Sequence, residues 1–343
     1  MGRRRPAGAG RRPPGGRVVT ADSPDGAVPH GAAPVGAVPH GAVPHGAPAR
    51  FVVEPVGAWD HAHAVGLLAA HSVPGAEATD VAAATHARLV ELGTGAERAS
   101  HRLDLSFAAT GVDVTVTGPD GVLPTEATVD EARRVVRTWL DLDTDLDDVE
   151  RGFADDPVLG PLVAARPGIR VTGNPDGFET AVMTVLGQQV SLAAARTFTG
   201  RLVAAHGEPV AGTGLTRFPR ADRLAAADVD ELRAAVGVTN SRARTIHALA
   251  EVVADGLVIA PDVDHADARR RLLAVPGIGP WTVEYLAVRA LGDRDAWPAG
   301  DLVLRRVMGG LTTKEAEVAG APWSPWRAYA LFHLWAAVLP TAP

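Results

Sequence analysis

The stretch ARRRLLAVPGIGPWTVEYLAVRAL (residues 268–291) reads as a helix, a PGIGP turn (276–280) and a second helix. Pro276 stops the first helix. Gly277 and Gly279 can take backbone conformations closed to other residues and let a partner approach the chain closely. The second helix opens near Pro280 with its first N–H groups free, and such groups beside a glycine turn form a nest for an anion, suited to one phosphate. The contact requires no basic side chain. An ordinary helical corner would also use Gly and Pro, but PGxGxW between two apolar helices is a more specific pattern.

Working outward, the segments that follow Thr128 carry helical periodicity: TVDEARRVVRTWLDL, DLDDVERGFA, DGFETAVMTVLGQQV, SLAAARTFTGRLVAAHG, VDELRAAVG and SRARTIHALAEVVADG, each cut by Gly, Pro or Asp. Thr128 with Glu131 three residues on predicts a capping box. Many short helices with short polar connections imply an all-α unit in two lobes, with no room for a parallel sheet. Before it, FVVEPVGAWD predicts a strand and turn, and His61 to His71 a short helix. RLDLSF (102–107) and VDVTV (112–116) form a hairpin with one buried face. The expected organisation is a disordered tail over 1–50, a small α+β domain over 51–126 and an all-α core over 127–343.

Residues 1–50 are Gly, Ala, Pro and Arg with GAVPH three times, at 26–30, 36–40 and 41–45. They cannot build a core. His30, His40 and His45 there could touch a metal, but an inert tail is the simpler reading. The chain of 343 residues has a net charge of −7. The tail carries +5, residues 51–150 carry −12, and the remainder is balanced. A nucleic-acid surface therefore has to be local and to use a few Arg and backbone N–H groups. With no cysteine, disulfides, thiolate zinc sites, cysteine nucleophiles and iron–sulfur clusters on cysteine are excluded. No run of eighteen apolar residues predicts a membrane span. The charged start lacks the apolar stretch of a secretory signal, and a cytoplasmic protein is expected.

PGIGPWTVEYLA resembles the helix-hairpin-helix of the DNA glycosylase superfamily, and PAGDLVLRRV (298–307) resembles its catalytic segment. GFETAVMTVLGQQVS (177–191) and SPWRAYALFHLWAA (324–337) are similar to two further signatures of the alkylation-repair, AlkA-type branch of 3-methyladenine glycosylases. The resemblance covers about 51–340. It implies an α+β domain followed by a two-lobed helix-hairpin-helix core that removes alkylated purines from double-stranded DNA, as a monomer near the nucleoid. In it Gly277, Ile278 and Gly279 meet the phosphate.

Asp301 stands at or near the N-cap of GDLVLRRV, where backbone N–H groups favour its anion. On its own it could be only a cap; in the position of the family's catalytic carboxylate it would stabilise the positive charge that builds on the sugar, and orient water. A base must leave the stack to be reached. The resemblance makes Gln189 the wedge that fills its place, with Gln188 beside it, where some relatives use an apolar residue. Trp281 and Tyr285, four apart on one helix face, and Trp335 would wall the pocket, since electron-rich rings attract a cationic base by ~0.5–2 kcal/mol each. Ala336 replaces a second aromatic found in some relatives. Trp323, Trp326 and Arg327 read as structural. No cofactor is required. A monovalent cation, Na+ or K+, on the carbonyls of Leu273, Val275 and Ile278 is implied by the resemblance alone.

Two other functions compete. A glycosylase for oxidised or deaminated bases is one; its bifunctional, strand-cleaving form, for instance on oxidised guanine, needs an amine to form a Schiff base, yet Trp281 follows the turn where lyase relatives have lysine, and Lys314 is the only lysine. A non-catalytic DNA-binding module would use the hairpin alone.

Overall fold

The computed structural model describes residues 48–338. The tail expected over 1–50 lies outside the described residues except at its end, where Ala49 and Arg50 already belong to a strand. The first part of the molecule is β1 (Ala49–Val53), α1 (His61–His71), β2 (Glu77–Asp80), β3 (Thr85–Leu92), β4 (Ala99–Ala108), β5 (Gly111–Thr117) and α2 (Glu126–Trp139). The strands make one antiparallel sheet in the order β1-β5-β4-β3-β2. The expected hairpin is β4-β5, in a register that sets Leu103 opposite Val116, Leu105 opposite Val114 and Phe107 opposite Val112. These residues point to one face because side chains alternate along a strand. Ala64, Val65 and Leu68 of α1 and Ala132, Val136 and Trp139 of α2 cover that face.

Two expectations change here. The cap of α2 is Thr125, whose side chain accepts from Thr128 N; Glu131 reaches across instead to accept the Gly93 N–H at 2.7 Å. The helix therefore begins three residues early and has no capping box at Thr128. Because α2 packs on the sheet, the boundary expected at 126/127 falls before a helix that belongs to the α+β part.

The second part is α3 (Leu146–Phe153), α4 (Leu159–Ala165), α5 (Gly177–Gly187), α6 (Leu192–His206), β6 (Glu208–Val210), β7 (Leu215–Arg217), α7 (Ala221–Ala225), α8 (Val229–Val236), α9 (Asn240–Ala254), α10 (His265–Leu273), α11 (Pro280–Arg289), α12 (Leu302–Val307), α13 (Thr313–Gly320) and α14 (Arg327–Ala336). The two lobes expected from the loops share one continuous apolar cluster. The unit is not purely helical. β6 and β7 form a two-stranded hairpin that sequence reading missed, since three-residue strands leave no measurable alternation. The hairpin ties the parts together: Thr216 N–H donates to Gly75 O at 2.8 Å, and Arg217 lies 3.6 Å from Glu91.

A buried charge cluster fixes the same junction. Arg88 of β3 pairs with Glu77 of β2 and Glu179 of α5, each at 2.9 Å, and stacks over Trp139. It ties β2 and β3 of the sheet to α5. No helix among the described residues is long and apolar enough to cross a membrane.

Candidate active site

The turn between α10 and α11 has the geometry that its glycines require. Gly277 has φ +90°, and a Cβ there would lie 2.1 Å from Thr245 Oγ1. Gly279 is the N-cap of α11 with no side-chain cap, and the place of its missing Cβ is open. Ile278 is buried and anchors the turn, whereas Gly277 and Pro280 are exposed. The three expected phosphate residues thus divide into one apolar anchor and two glycines that present backbone.

GQQVS is the turn between α5 and α6, and α5 ends at Gly187. Its two glutamines have different surroundings. The Gln188 side-chain amide donates to Gly277 O at 3.2 Å and to Thr282 Oγ1 at 3.1 Å, while Arg242 donates to its backbone carbonyl at 2.5 Å. These bonds hold Gln188 against the hairpin and tie two surface turns together. Gln189 is exposed and has φ +56°. A side chain in this region costs of order 1 kcal/mol and persists only when its surroundings hold it.

Asp301 is the N-cap of α12. Its Oδ1 accepts the Leu304 N–H at 2.8 Å and the Trp335 indole N–H at 3.2 Å; its Oδ2 accepts the Trp281 indole N–H at 3.3 Å. The residue is 8% exposed. Three donors from three elements therefore fix both oxygens, and capping coexists with whatever else the carboxylate does. The cap comes from the chain itself; the two indoles arrive only through the packing of α11 and α14.

A pocket of about 280 Å³ opens on this carboxylate. That is near the small end of ligand sites, roughly 300–1,000 Å³. Trp281, Tyr285, Asp301 and Arg289 line it together with His71, Thr180 and Met183. The Trp281 and Tyr285 rings are 5.5 Å apart and tilted. Trp335 is not on the lining: it stands behind Tyr285 at 6.0 Å and touches the site through its bond to Asp301. α14 is buried from Ala328 to Ala336, and Trp335 meets the site with its indole N–H. Ala336 is buried beside it.

Sequence reading missed His71 and Arg289. His71 is the last residue of α1, in the acidic part of the chain, and nothing local shows that α1 ends against α11. Arg289 lies in the apolar interior with its Nε and Nη1 atoms unpaired, its guanidinium 5.9 Å from the centre of the Phe332 ring. Trp323 bonds Asp156 at 2.7 Å and Arg327 pairs with Asp295 at 2.8 Å, both away from the pocket. A larger concavity of about 810 Å³ lies on the sheet, lined by residues such as Arg50, Asp80, Arg102 and Asp113, and does not include Asp301. Among the described residues no three His, Asp or Glu side chains are placed to hold a metal ion.

A helix-hairpin-helix whose neighbouring helix carries a capped, buried carboxylate over an aromatic pocket defines the base-excision class of DNA repair fold. The chain belongs to that family: residues 182–317 match the HhH-GPD superfamily of base excision DNA repair proteins, and residues 56–176 match the AlkA N-terminal domain. The chain is 39% identical over 284 residues to a probable bifunctional transcriptional activator/DNA repair enzyme AlkA of Mycobacterium tuberculosis, a match covering 79% of this chain and 53% of that protein. It is 38% identical over 181 residues to DNA-3-methyladenine glycosylase 2 of Escherichia coli, covering 52% and 63%. It thus spans about half the length of the mycobacterial relative. The 3-methyladenine DNA-glycosylase of Archaeoglobus fulgidus has the same fold, with a TM-score of 0.68 at 21% identity over 83% of this chain and 96% of that one.

Proposed function

We propose that this protein excises alkylated purines of the 3-methyladenine type from double-stranded DNA by hydrolysis of the bond between base and sugar. The observation that carries the reading is Asp301, an acceptor held by three N–H donors at the wall of an aromatic pocket beside the hairpin. The hairpin turn takes one phosphate on its backbone, and Gln189 enters the stack as the base leaves it. Trp281 and Tyr285 receive the extruded base. The Asp301 carboxylate faces the sugar as positive charge builds there, and aligns the water that completes hydrolysis. An alkylated purine is already cationic and needs little help in leaving.

The protein works under this reading as a monomer on cytoplasmic DNA and needs no cofactor. The carbonyls of Leu273, Val275 and Ile278 could hold a Na+ or K+ that steadies the turn; the Val275 carbonyl already receives the Ile278 N–H at 3.0 Å and keeps one lone pair for an ion. The lyase alternative is disfavoured because Lys314 is exposed in the first turn of α13, capped by Thr312 and Glu315. The pocket on Asp301 disfavours a purely binding module.

The test is a duplex carrying a methylated purine. Free base without strand breaks before alkali is expected. Strand cleavage, or a covalent complex trapped by borohydride, would overturn the hydrolytic reading.

A further inference from the structure

The pocket carries an imidazole that neither the hairpin nor the carboxylate uses. His71 ends α1 and lines the pocket together with the α11 residues Trp281, Tyr285 and Arg289. Its Nδ1 lies 2.9 Å from Leu67 O, one turn back on the same helix. A carbonyl can only accept, so Nδ1 carries the proton in this contact and the tautomer is set. In the neutral ring Nε2 is then an acceptor. Among the described residues Nε2 makes no hydrogen bond, and His71, itself partly exposed, is on the pocket lining.

The ring is held neutral. Burial, with help from the Arg289 and Arg196 charges, lowers its pKa to about 4, against the pull of the Leu67 carbonyl. Arg289 also lines the pocket, with its Nε and Nη1 buried and without a hydrogen-bond partner. Its charge adds to the effect of burial in disfavouring protonation of the His71 ring.

We infer that His71 Nε2 is the specificity-determining acceptor of this pocket and reads an N–H donor on the edge of the extruded purine. This rests on the proposed glycosylase reading and narrows its substrate class. Purines with an exocyclic amine or a ring N–H, such as 3-methyladenine and 7-methylguanine, satisfy the acceptor. A base with no N–H leaves it facing an empty or mismatched edge, and a site built to bond a polar group rejects a ligand that lacks it. A cationic base is a stronger donor than a neutral one, so the bond also favours the alkylated form.

The experiment measures free-base binding and excision on the same proteins. Quenching of indole fluorescence from Trp281 and Trp335 reports binding of free 3-methyladenine and of 3-methylpurine, which lacks the 6-amino group. The wild type is expected to prefer 3-methyladenine about tenfold. His71→Phe keeps a ring of similar size and should bring that ratio to about one, and slow release of 3-methyladenine from methylated DNA about tenfold. His71→Gln retains an oxygen acceptor and should keep most of the preference, with the same melting temperature serving as the control for folding. If His71→Phe keeps the preference, or weakens both ligands equally, the acceptor role is refuted and His71 is packing only. A wild type that excises 3-methyladenine yet shows no preference refutes the inference alone. A wild type that shows the preference but releases no base refutes the proposed function and leaves the acceptor standing.

Discussion

Replacing Asp301 with Asn separates the charge of the carboxylate from its place in the fold. Asn is as good an N-cap as Asp. Its oxygen can keep both bonds made at Oδ1, from Leu304 N–H and from the Trp335 indole. Its amide nitrogen then falls where Oδ2 stood and faces the Trp281 indole, donor against donor. One bond to a charged acceptor is lost, worth about 1.5–3 kcal/mol, but a buried charge is removed as well. The net loss of stability should be at most ~2 kcal/mol, a few degrees in melting temperature. The effect on rate is larger. A carboxylate ~4 Å from a cationic sugar at an effective dielectric of ~20 stabilises it by ~4 kcal/mol, or about three decades of rate. Single-turnover release of 3-methyladenine from a methylated duplex should therefore fall about a thousandfold for Asp301→Asn, with binding to damaged DNA largely kept. Adding Trp281→Phe removes the opposed donor and should recover part of the lost stability without restoring the rate. An Asp301→Asn protein that retains a tenth of the wild-type rate would refute the electrostatic role and leave the residue a plain cap.

The two turn glycines should behave differently. Gly277→Ala forces a left-handed φ and drives a methyl into Thr245, so it should cost about 2–4 kcal/mol on denaturation. Gly279→Ala should melt as the wild type does but bind every duplex about tenfold more weakly; unaltered binding would show that the turn is not the phosphate site. Gln189→Gly relieves the positive φ and should gain about 0.5–1 kcal/mol of stability while slowing excision of well-paired lesions most, and a uniform slowing would count against the wedge. Binding should weaken with salt on a slope equal to only about two to five phosphates, and a slope near ten would mean a basic surface has been overlooked. Burial lowers His63, His71 and His333 to about 4 and His86 to about 3. Their folded pKa values lie below the unfolded value near 6.5, so the stability they contribute is complete above that pH and is lost as the pH falls toward 4. Unfolding at pH 5 should take up about three protons that it does not take up at pH 7.5, seen as a falling urea midpoint; a flat midpoint over that range would show these rings are solvated.

The hairpin, the carboxylate and the order of the parts are legible in the chain because each is written within a few adjacent residues. PGIGP can only be a turn, an Asp before an apolar helix caps it, and alternation over 102–116 can only make a half-buried hairpin. The short strands β6 and β7 were not legible, since brief elements are chosen by what they pack against, and neither was the true cap of α2 at Thr125. The site divides along the same line. Trp281 and Tyr285 share a helix face by periodicity alone, but only folding sets the Trp335 indole N–H against Asp301, ties Gln188 to the hairpin and brings His71 across from the sheet domain. Local backbone preference acts over a few residues and can be read along the chain. The two indoles that bond Asp301, and the acceptor proposed to read the base, are separated from it by tens to hundreds of residues, and only burial of the shared core makes them neighbours.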